Sequence, residues 1–256
     1  MVSFCIPAHN EELLLPRTLG AMHAAARACN IEYEIVVADD ASTDGTAAAA
    51  RAGGAVVVQI DRRQIAAARN AAARASRGEV LFFVDADTQV SAGAVAEALE
   101  AMRSGAAGGG ASMRFDGQVP RFARVLLPVL NFKFRMRKLT GGAFLFCTRI
   151  AFDRAGGWDE ALFAGEELWM AGAVKRVGRF VIVRTPVLTS GRKLRTHTGW
   201  EILWMVLRMA VRPRKSLRDR TRLGLWYDVR RVDPGNPDDP GRDHADSVAQ
   251  KPGSPC

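Results

Sequence analysis

The first hundred residues alternate between short apolar runs and helical stretches, and that alternation restricts what the chain can fold into. Val2–Ile6 is an apolar run ending at Pro7. Pro16 can open the helix that follows, with Leu15, Leu19, Met22 and Ala26 on one face. Tyr33–Ala38 is a second run, ending in Asp39-Asp40, and Ser42, Thr43 or Asp44 can cap the Ala-rich helix after it. Ala55–Ile60, a helix over Ile65–Ala75, Val80–Val84 and a Ser91-capped helix through Met102 complete the pattern. A strand–helix repeat of this kind predicts an α/β fold, with a mainly parallel sheet covered by helices on both faces.

Ligands of such sheets bind beyond the carboxyl ends of the strands. Polar residues gather at those ends here: Pro7-Ala8-His9-Asn10-Glu11 after strand one, Asp39-Asp40 after strand two and Asp85-Ala86-Asp87 after strand four. An isolated Asp-x-Asp is usually a solvated turn. Its position beside two other acidic strand ends favours a site instead. In an extended chain Asp85, Asp87 and Gln89 project to one side. They would form an all-oxygen set suited to Mg²⁺ or Mn²⁺, which can in turn bind a diphosphate. Two adjacent carboxylates at Asp39-Asp40 exceed what helix capping requires, and either can accept from a base N–H or ribose hydroxyls.

Beyond Gly105–Gly110 the pattern becomes less regular. Ala111–Phe115, Gly142–Cys147 and Phe180–Val183 are strand candidates, Trp200–Val211 is a helix candidate, and the Pro-rich tail over 232–256 is expected to be disordered. One domain over 1–231 is therefore expected, with a nucleotide-binding half (1–118) and a second half (119–231).

The net charge of +9 is unevenly spread: −4 over residues 1–118, +16 over 119–231 and −3 over the tail. Arg121–Lys138 and Trp200–Lys215 interleave Phe, Leu and Trp with Arg and Lys, as an element lying on an anionic membrane would. Two amphipathic helices packed on the sheet would give the same pattern. Nothing in the sequence carries a nucleic-acid-binding signature, so nucleic acid is the weakest partner. The four cysteines form no CxxC pair, and Met1 leads into an apolar strand without a basic region. No apolar stretch reaches the ~20 residues of a spanning helix. These features predict a cytoplasmic protein, with peripheral contact on the cytoplasmic membrane face as the added expectation.

The segments Ile6–Glu12, Val36–Thr46, Ala68-Arg69-Asn70 and Val84–Asp87 resemble, in order, the nucleotide-sugar half of family 2 glycosyltransferases with a GT-A fold. Gly156-Gly157-Trp158-Asp159-Glu160 and Phe163–Glu167 resemble the family's acceptor-side motif. Each match is weak alone; together, at plausible spacings across about residues 2–190, they are specific.

The resemblance implies an inverting, non-processive, metal-dependent transfer of a sugar from a UDP- or GDP-sugar to a hydroxyl on a lipid-linked, glycan or small-molecule acceptor. It implies that Pro7, His9 and Glu11 line the nucleoside pocket and that Asp39 and Asp40 read base and ribose. Arg69 would face the phosphates or brace the aspartates. Asp85, Ala86 and Asp87 would hold ribose and metal, with Asp87 the direct ligand and Gln89 a third. Glu167 falls at the position of the family's catalytic base, with Glu166 beside it as the alternative.

Trp169 stands where relatives often have another acid, and no Gln-x-x-Arg-Trp of processive synthases is present. Ser190-Gly191-Arg192-Lys193 resembles the Ser-x-Arg-Arg stretch of smaller members, so Arg192 or Lys193 would close over the diphosphate; a solvated basic loop is the plain alternative. His197 reads as a surface or packing residue more readily than as a metal neighbour.

Two other functions fit the sequence less well. A sugar-1-phosphate nucleotidyltransferase would carry a Gly-rich, Arg-containing loop where His9-Asn10-Glu11-Glu12 stands. A membrane-associated binding protein without turnover would not need Asp85, Asp87 and Glu167 together.

Overall fold

The computed structural model describes residues 1–117 and 136–196 and the single positions 120, 132 and 201. His197, Trp200–Lys215 except Glu201, most of Arg121–Lys138 and the tail lie outside the described residues.

The nucleotide half runs β1 (Val2–Ala8), α1 (Leu15–Ala28), β2 (Tyr33–Asp40), α2 (Thr46–Ala52), β3 (Val56–Ile60), α3 (Ile65–Ala75) and β4 (Val80–Val84). It continues through the short β5 (Thr88–Gln89), α4 (Ala92–Arg103) and β6 (Gly108–Phe115). The second half adds β7 (Phe144–Thr148), α5 (Arg149–Ala155), α6 (Glu166–Val177), β8 (Phe180–Thr189) and the short α7 (Arg192–Thr196).

All eight strands form one sheet in the order β3-β2-β1-β4-β7-β6-β8-β5. β3, β2, β1 and β4 are mutually parallel. β7 runs antiparallel to both β4 and β6, β8 is parallel to β6, and β5 is antiparallel to β8. The sheet is thus mixed, and its parallel character belongs mainly to the nucleotide half.

The period-two pattern of the strands divides the core into two layers. Phe4, Ile6, Val37, Phe82, Val84, Phe144 and Phe146 face α1 and α4; Phe82 stacks on Phe4 and Phe144 at 5.3 and 5.5 Å between ring centroids. Cys5, Val36, Ala38, Leu81, Phe83, Leu145 and Cys147 face α3, α5 and α6. Burial covers both faces of the central strands, which is why their sequences are nearly continuous apolar runs.

Several element boundaries differ from the sequence expectation. β1 continues through Pro7 to Ala8 because its pairing with β4 ends at Cys5, so Pro7 owes no amide to that neighbour. β6 begins at Gly108, three residues before the expected Ala111. A Cβ on Gly109 would lie 2.3 Å from the Val181 carbonyl, and one on Gly110 would lie 2.2 Å from Thr140 Oγ1; glycine allows the close packing. β8 runs past Val183 through Arg184-Thr185-Pro186, where its register with β6 shifts. Glu97 of α4 accepts the unpaired amides of Arg184 and Thr185, at 2.6 and 3.4 Å. The N-cap of α2 is Gly45, not one of Ser42–Asp44; Asp44 sits one position outside and accepts from the Thr46 amide at 2.9 Å. Ser91 does cap α4, accepting from the Ala94 amide at 3.3 Å.

Candidate functional site

A cavity of about 460 Å³, within the usual range for small-molecule sites, opens where the carboxyl ends of the parallel strands meet the second half. Pro7, Ala8, His9 and Glu11 line it after β1, Asp40 at the end of β2, and Asp85, Ala86 and Asp87 after β4. Glu166 and Glu167 line it from the first turn of α6, and Arg192 from the start of α7. Strand ends far apart in sequence therefore converge on one space, at the switch point between β1 and β4.

The centre of the wall is Arg69 on α3, 1% exposed. Its Nη2 donates to Asp85 Oδ1 at 2.8 Å and to the Gly142 carbonyl at 3.0 Å, and its Nη1 donates to Glu166 Oε1 at 3.0 Å. The guanidinium lies 4.4 Å from the centroid of the buried Trp158 ring. Burial works against its charge, but Asp85 and Glu166 outweigh that and hold its pKa above the ordinary arginine value. Arg69 thus braces carboxylates from both halves.

Asn70, the next residue, ties in the Gly-Gly-Trp turn. Its Nδ2 donates to the Trp158 carbonyl and its Oδ1 accepts from the Trp158 amide, both at 2.9 Å. Gly156 and Gly157 take φ of 82° and 74°, which a side chain would strain. The Arg-Asn pair and the Gly-Gly-Trp turn are one structural unit.

Glu167 is partly exposed at the cavity wall. Removal from water, then the charge of Glu166, push its carboxyl up to about 8; Arg69 and its own backbone amide oppose the rise.

The strand-end residues divide into those that face the cavity and those committed to holding it. Asp40 accepts from the amides of Arg62 and Arg63 through Oδ1, both at 2.7 Å, and from Gln64 through Oδ2 at 2.6 Å. Its carboxylate shapes the β3–α3 turn while also lining the cavity. Asp39 is buried on the opposite face of β2, is not among the cavity-lining residues, and leaves Oδ1 without a hydrogen-bond partner. His9 Nδ1 donates to the Asp40 carbonyl at 2.7 Å, which fixes its tautomer. Glu11 forms a two-pronged ion pair with Arg192, at 2.7 and 3.3 Å, joining strand one to a residue 181 positions away across the cavity.

The acidic turn after β4 also differs from expectation. The Thr88 amide donates to the Asp85 carbonyl at 3.0 Å, so Asp85–Thr88 is a turn and not an extended run. Gln89 is carried into β5 opposite Leu188 and does not line the cavity, so it is not a third donor beside the two aspartates. Asp87 remains at the wall, its Oδ1 near the hydroxyls of Thr88 and Thr189 at 3.4 and 3.3 Å. Among the described residues, no three His, Cys, Asp or Glu side chains gather as a metal cluster. Arg69 takes Oδ1 of Asp85, and Asp87 stands two residues on at the same wall. One carboxylate with water and phosphate oxygens is a donor set that Mg²⁺ or Mn²⁺ accepts, so the residues fit a metal shared with a diphosphate.

Sequence reasoning missed Arg63, Gln64, Met113, Phe115 and Gly142, all of which line the cavity. Arg63 had one readable signal, a basic residue just after a strand end. The others reach the cavity only through tertiary packing. Trp169 is 52% exposed and lies outside the cavity lining.

This architecture, a parallel β3-β2-β1-β4 half joined to an antiparallel β7 with carboxylates at its mouth, is that of the GT-A glycosyltransferases. The model of "Glycosyl transferase family 2" matches residues 3–155, and the chain belongs to that family. It is 42% identical over 96 residues to an undecaprenyl-phosphate 4-deoxy-4-formamido-L-arabinose transferase of Pseudomonas paraeruginosa, covering 35% of this chain and 28% of the relative. It is 34% identical over 104 residues to the uncharacterized glycosyltransferase YfnE of Bacillus subtilis, covering 39% and 26%. The aligned part is thus only about a quarter of the length of these relatives.

Among solved structures, a mannosyltransferase of Pyrobaculum calidifontis in complex with GDP-Man and Mn²⁺ superposes with a TM-score of 0.62 at 23% identity, over 81% of this chain and 60% of that one. Glucosyl-3-phosphoglycerate synthase of Mycobacterium tuberculosis, in complex with Mn²⁺, UDP and glucosyl-3-phosphoglycerate, gives 0.53 at 19% identity, over 86% and 81%. The fold is shared; at these identities the ligands remain properties of those proteins. Among the described residues, no helix is long and apolar enough to cross a membrane.

Proposed function

We propose that the protein transfers a sugar from a nucleoside-diphosphate sugar to an acceptor hydroxyl with inversion, using Glu167 as general base. The observation that carries this reading is the place of Glu167, a carboxyl in the first turn of α6 at the wall of the cavity that Asp85 and Asp87 also line; burial and Glu166 raise its pKa. A base poised near the working pH is matched to removing a hydroxyl proton. A phosphate acceptor, such as the undecaprenyl phosphate in a relative's name, is already anionic and needs no such base.

In this mechanism the nucleoside end of the donor lies against Pro7, His9 and Glu11, and its diphosphate lies toward Asp85–Asp87. Glu167 accepts the proton as the acceptor oxygen attacks the anomeric carbon from the face opposite the diphosphate. The bond from that carbon to the diphosphate oxygen breaks, its electron pair leaves with the nucleoside diphosphate, and the configuration inverts. Arg69 keeps Glu166 and Asp85 paired, so Glu167 is left to titrate. Arg192 exchanges Glu11 for the diphosphate.

Six carboxylates line the cavity, against Arg63, Arg69 and Arg192, so an anionic donor needs a further cation. A divalent metal held by Asp87 and the diphosphate would supply charge neutralisation of the leaving group.

The test is the pair Glu167→Gln and Glu166→Gln, with UDP and GDP binding measured beside sugar transfer. Glu167→Gln is expected to keep nucleotide affinity and lose transfer by about 10²–10⁴. An active Glu167→Gln beside a dead Glu166→Gln would place the base at Glu166. Asp87→Ala is expected to abolish any enhancement of nucleotide binding by Mn²⁺.

A further inference from the structure

Asp116, the residue after β6, is not among those that line the cavity, yet it is bonded to the segment that carries Arg192. Its amide donates to the Thr189 carbonyl at 3.0 Å. Its Oδ1 accepts from the Gly191 amide at 2.8 Å and from Arg195 Nη1 at 3.2 Å, and its carbonyl accepts from the same Nη1 at 2.8 Å. The amides of Leu194 and Arg195 close the turn by donating to the Gly191 carbonyl at 2.9 and 3.2 Å. Asp116 therefore grips the chain on both sides of Arg192.

Two glycines leave room for this clamp. A Cβ on Gly191 would lie 2.7 Å from the Asp116 carbonyl and 2.6 Å from Arg195 Nη1. Gly117 takes a φ of 64°, and a Cβ there would lie 2.7 Å from the same Nη1. The Arg195 side chain is 11% exposed and that of Asp116 26%, so their charge-assisted bond is worth more than one on open surface.

β8 ends at Thr189, and the turn beyond it is held by hydrogen bonds rather than by strand pairing. The Ser190 amide donates to the Asp87 carbonyl at 3.2 Å, and Arg192 reaches across the cavity to Glu11. An Arg192 that exchanges Glu11 for a diphosphate gives up that tie, and the place of its Cα then rests on the turn beneath it. We propose that Asp116 is a positioning residue, which fixes the turn that presents Arg192 to the diphosphate of the donor. The inference rests on the donor reading above. A guanidinium delivered from a fixed turn loses less freedom on binding than one on a loose loop, so the clamp favours a diphosphate and adds little for a nucleoside.

Affinities for UDP and UMP, and for GDP and GMP, are measured by calorimetry with Mn²⁺ present, beside a urea titration of each variant. The ratio of diphosphate to monophosphate affinity isolates the second phosphate, which Arg192 would hold. For the nucleotide that the wild-type chain binds, Arg192→Ala is expected to lower this ratio about tenfold or more, and Asp116→Ala to lower it similarly from outside the cavity. The double variant is expected to fall no further than Arg192→Ala. Asp116→Asn keeps an oxygen for the Gly191 amide and is expected to retain most of the ratio. Arg195→Gln opens the clamp from its other side and is expected to lower the ratio even where Asp116→Ala is too unstable to titrate. An unchanged ratio in both Asp116→Ala and Arg195→Gln would overturn the proposal. So would an equal loss for diphosphate and monophosphate, or losses that add in full in the double variant. An unchanged ratio in Arg192→Ala would overturn it too, while leaving nucleotide binding in place. Failure of every nucleotide to bind the wild-type chain would overturn the donor reading and this inference with it.

Discussion

Replacing Glu167 by Gln should make the protein more stable, by an amount that grows as pH rises from about 4.5 to about 8. The carboxyl titrates near 4.5 in an unfolded chain and near 8 in the fold. Between those values the folded state holds a proton that the unfolded state has released, so stability falls as pH rises from about 4.5 to 8. Above 8 the ionised Glu167 opposes folding in full. At about 1.4 kcal/mol per pH unit, a rise from 4.5 to about 8 corresponds to at most about 5 kcal/mol. Gln has nearly the shape of the protonated acid and cannot ionise, so Glu167→Gln removes this penalty. Urea unfolding at pH 5 and pH 8.5 reads it directly, without adding the salt that guanidinium chloride would bring. The variant should match wild type within about 1 kcal/mol at pH 5 and exceed it by several kcal/mol at pH 8.5. A stability difference that does not change with pH, or a variant less stable at pH 8.5, would refute the account of Glu167.

Glu166→Gln removes the like charge beside Glu167 and should lower its pKa, shifting the rising limb of the pH–activity profile of kcat/KM toward acid; a limb that stays in place or moves alkaline contradicts the coupling. Arg63 holds φ at 49° because Asp40 gathers the amides around it, so Arg63→Gly should gain about 0.5–1 kcal/mol in urea unfolding where Arg63→Ala gains nothing. Gly109→Ala presses a methyl onto the Val181 carbonyl and the Phe146 ring and should cost about 3 kcal/mol or more, read as a fall in the urea midpoint at constant slope.

What was legible in the sequence follows from where each residue's partners lie. The parallel half could be read closely because its signals are local. Val80–Val84 and Ile65–Ala75 are bounded as the apolar period and turn residues predict, and the acids after β1, β2 and β4 stand at strand ends by chain order alone. The mixed character of the sheet was not legible, because a strand's sequence does not record which way its neighbour runs. Charge at a strand end likewise shows position without commitment. Asp39 and Asp40 look alike in sequence, yet the pleat sends one to each face of β2. Asp40 accepts from three amides brought from β3, while Asp39 keeps an oxygen unpaired. Arg69 could be expected either to meet phosphate or to brace acids, and only the approach of α6 decides: once Glu166 arrives, three hydrogen bonds and the Trp158 ring immobilise the guanidinium. That immobilisation has a consequence for the neighbouring position. With Arg69 turned to Glu166 and Asp85, the second glutamate of the pair is removed from water, receives like charge from Glu166 and gets too little compensation from the arginine. The pair of glutamates at the start of α6 thus differentiates into a buried partner of Arg69 and a carboxyl at the cavity wall whose pKa is raised, although the helix N-terminus favours both equally.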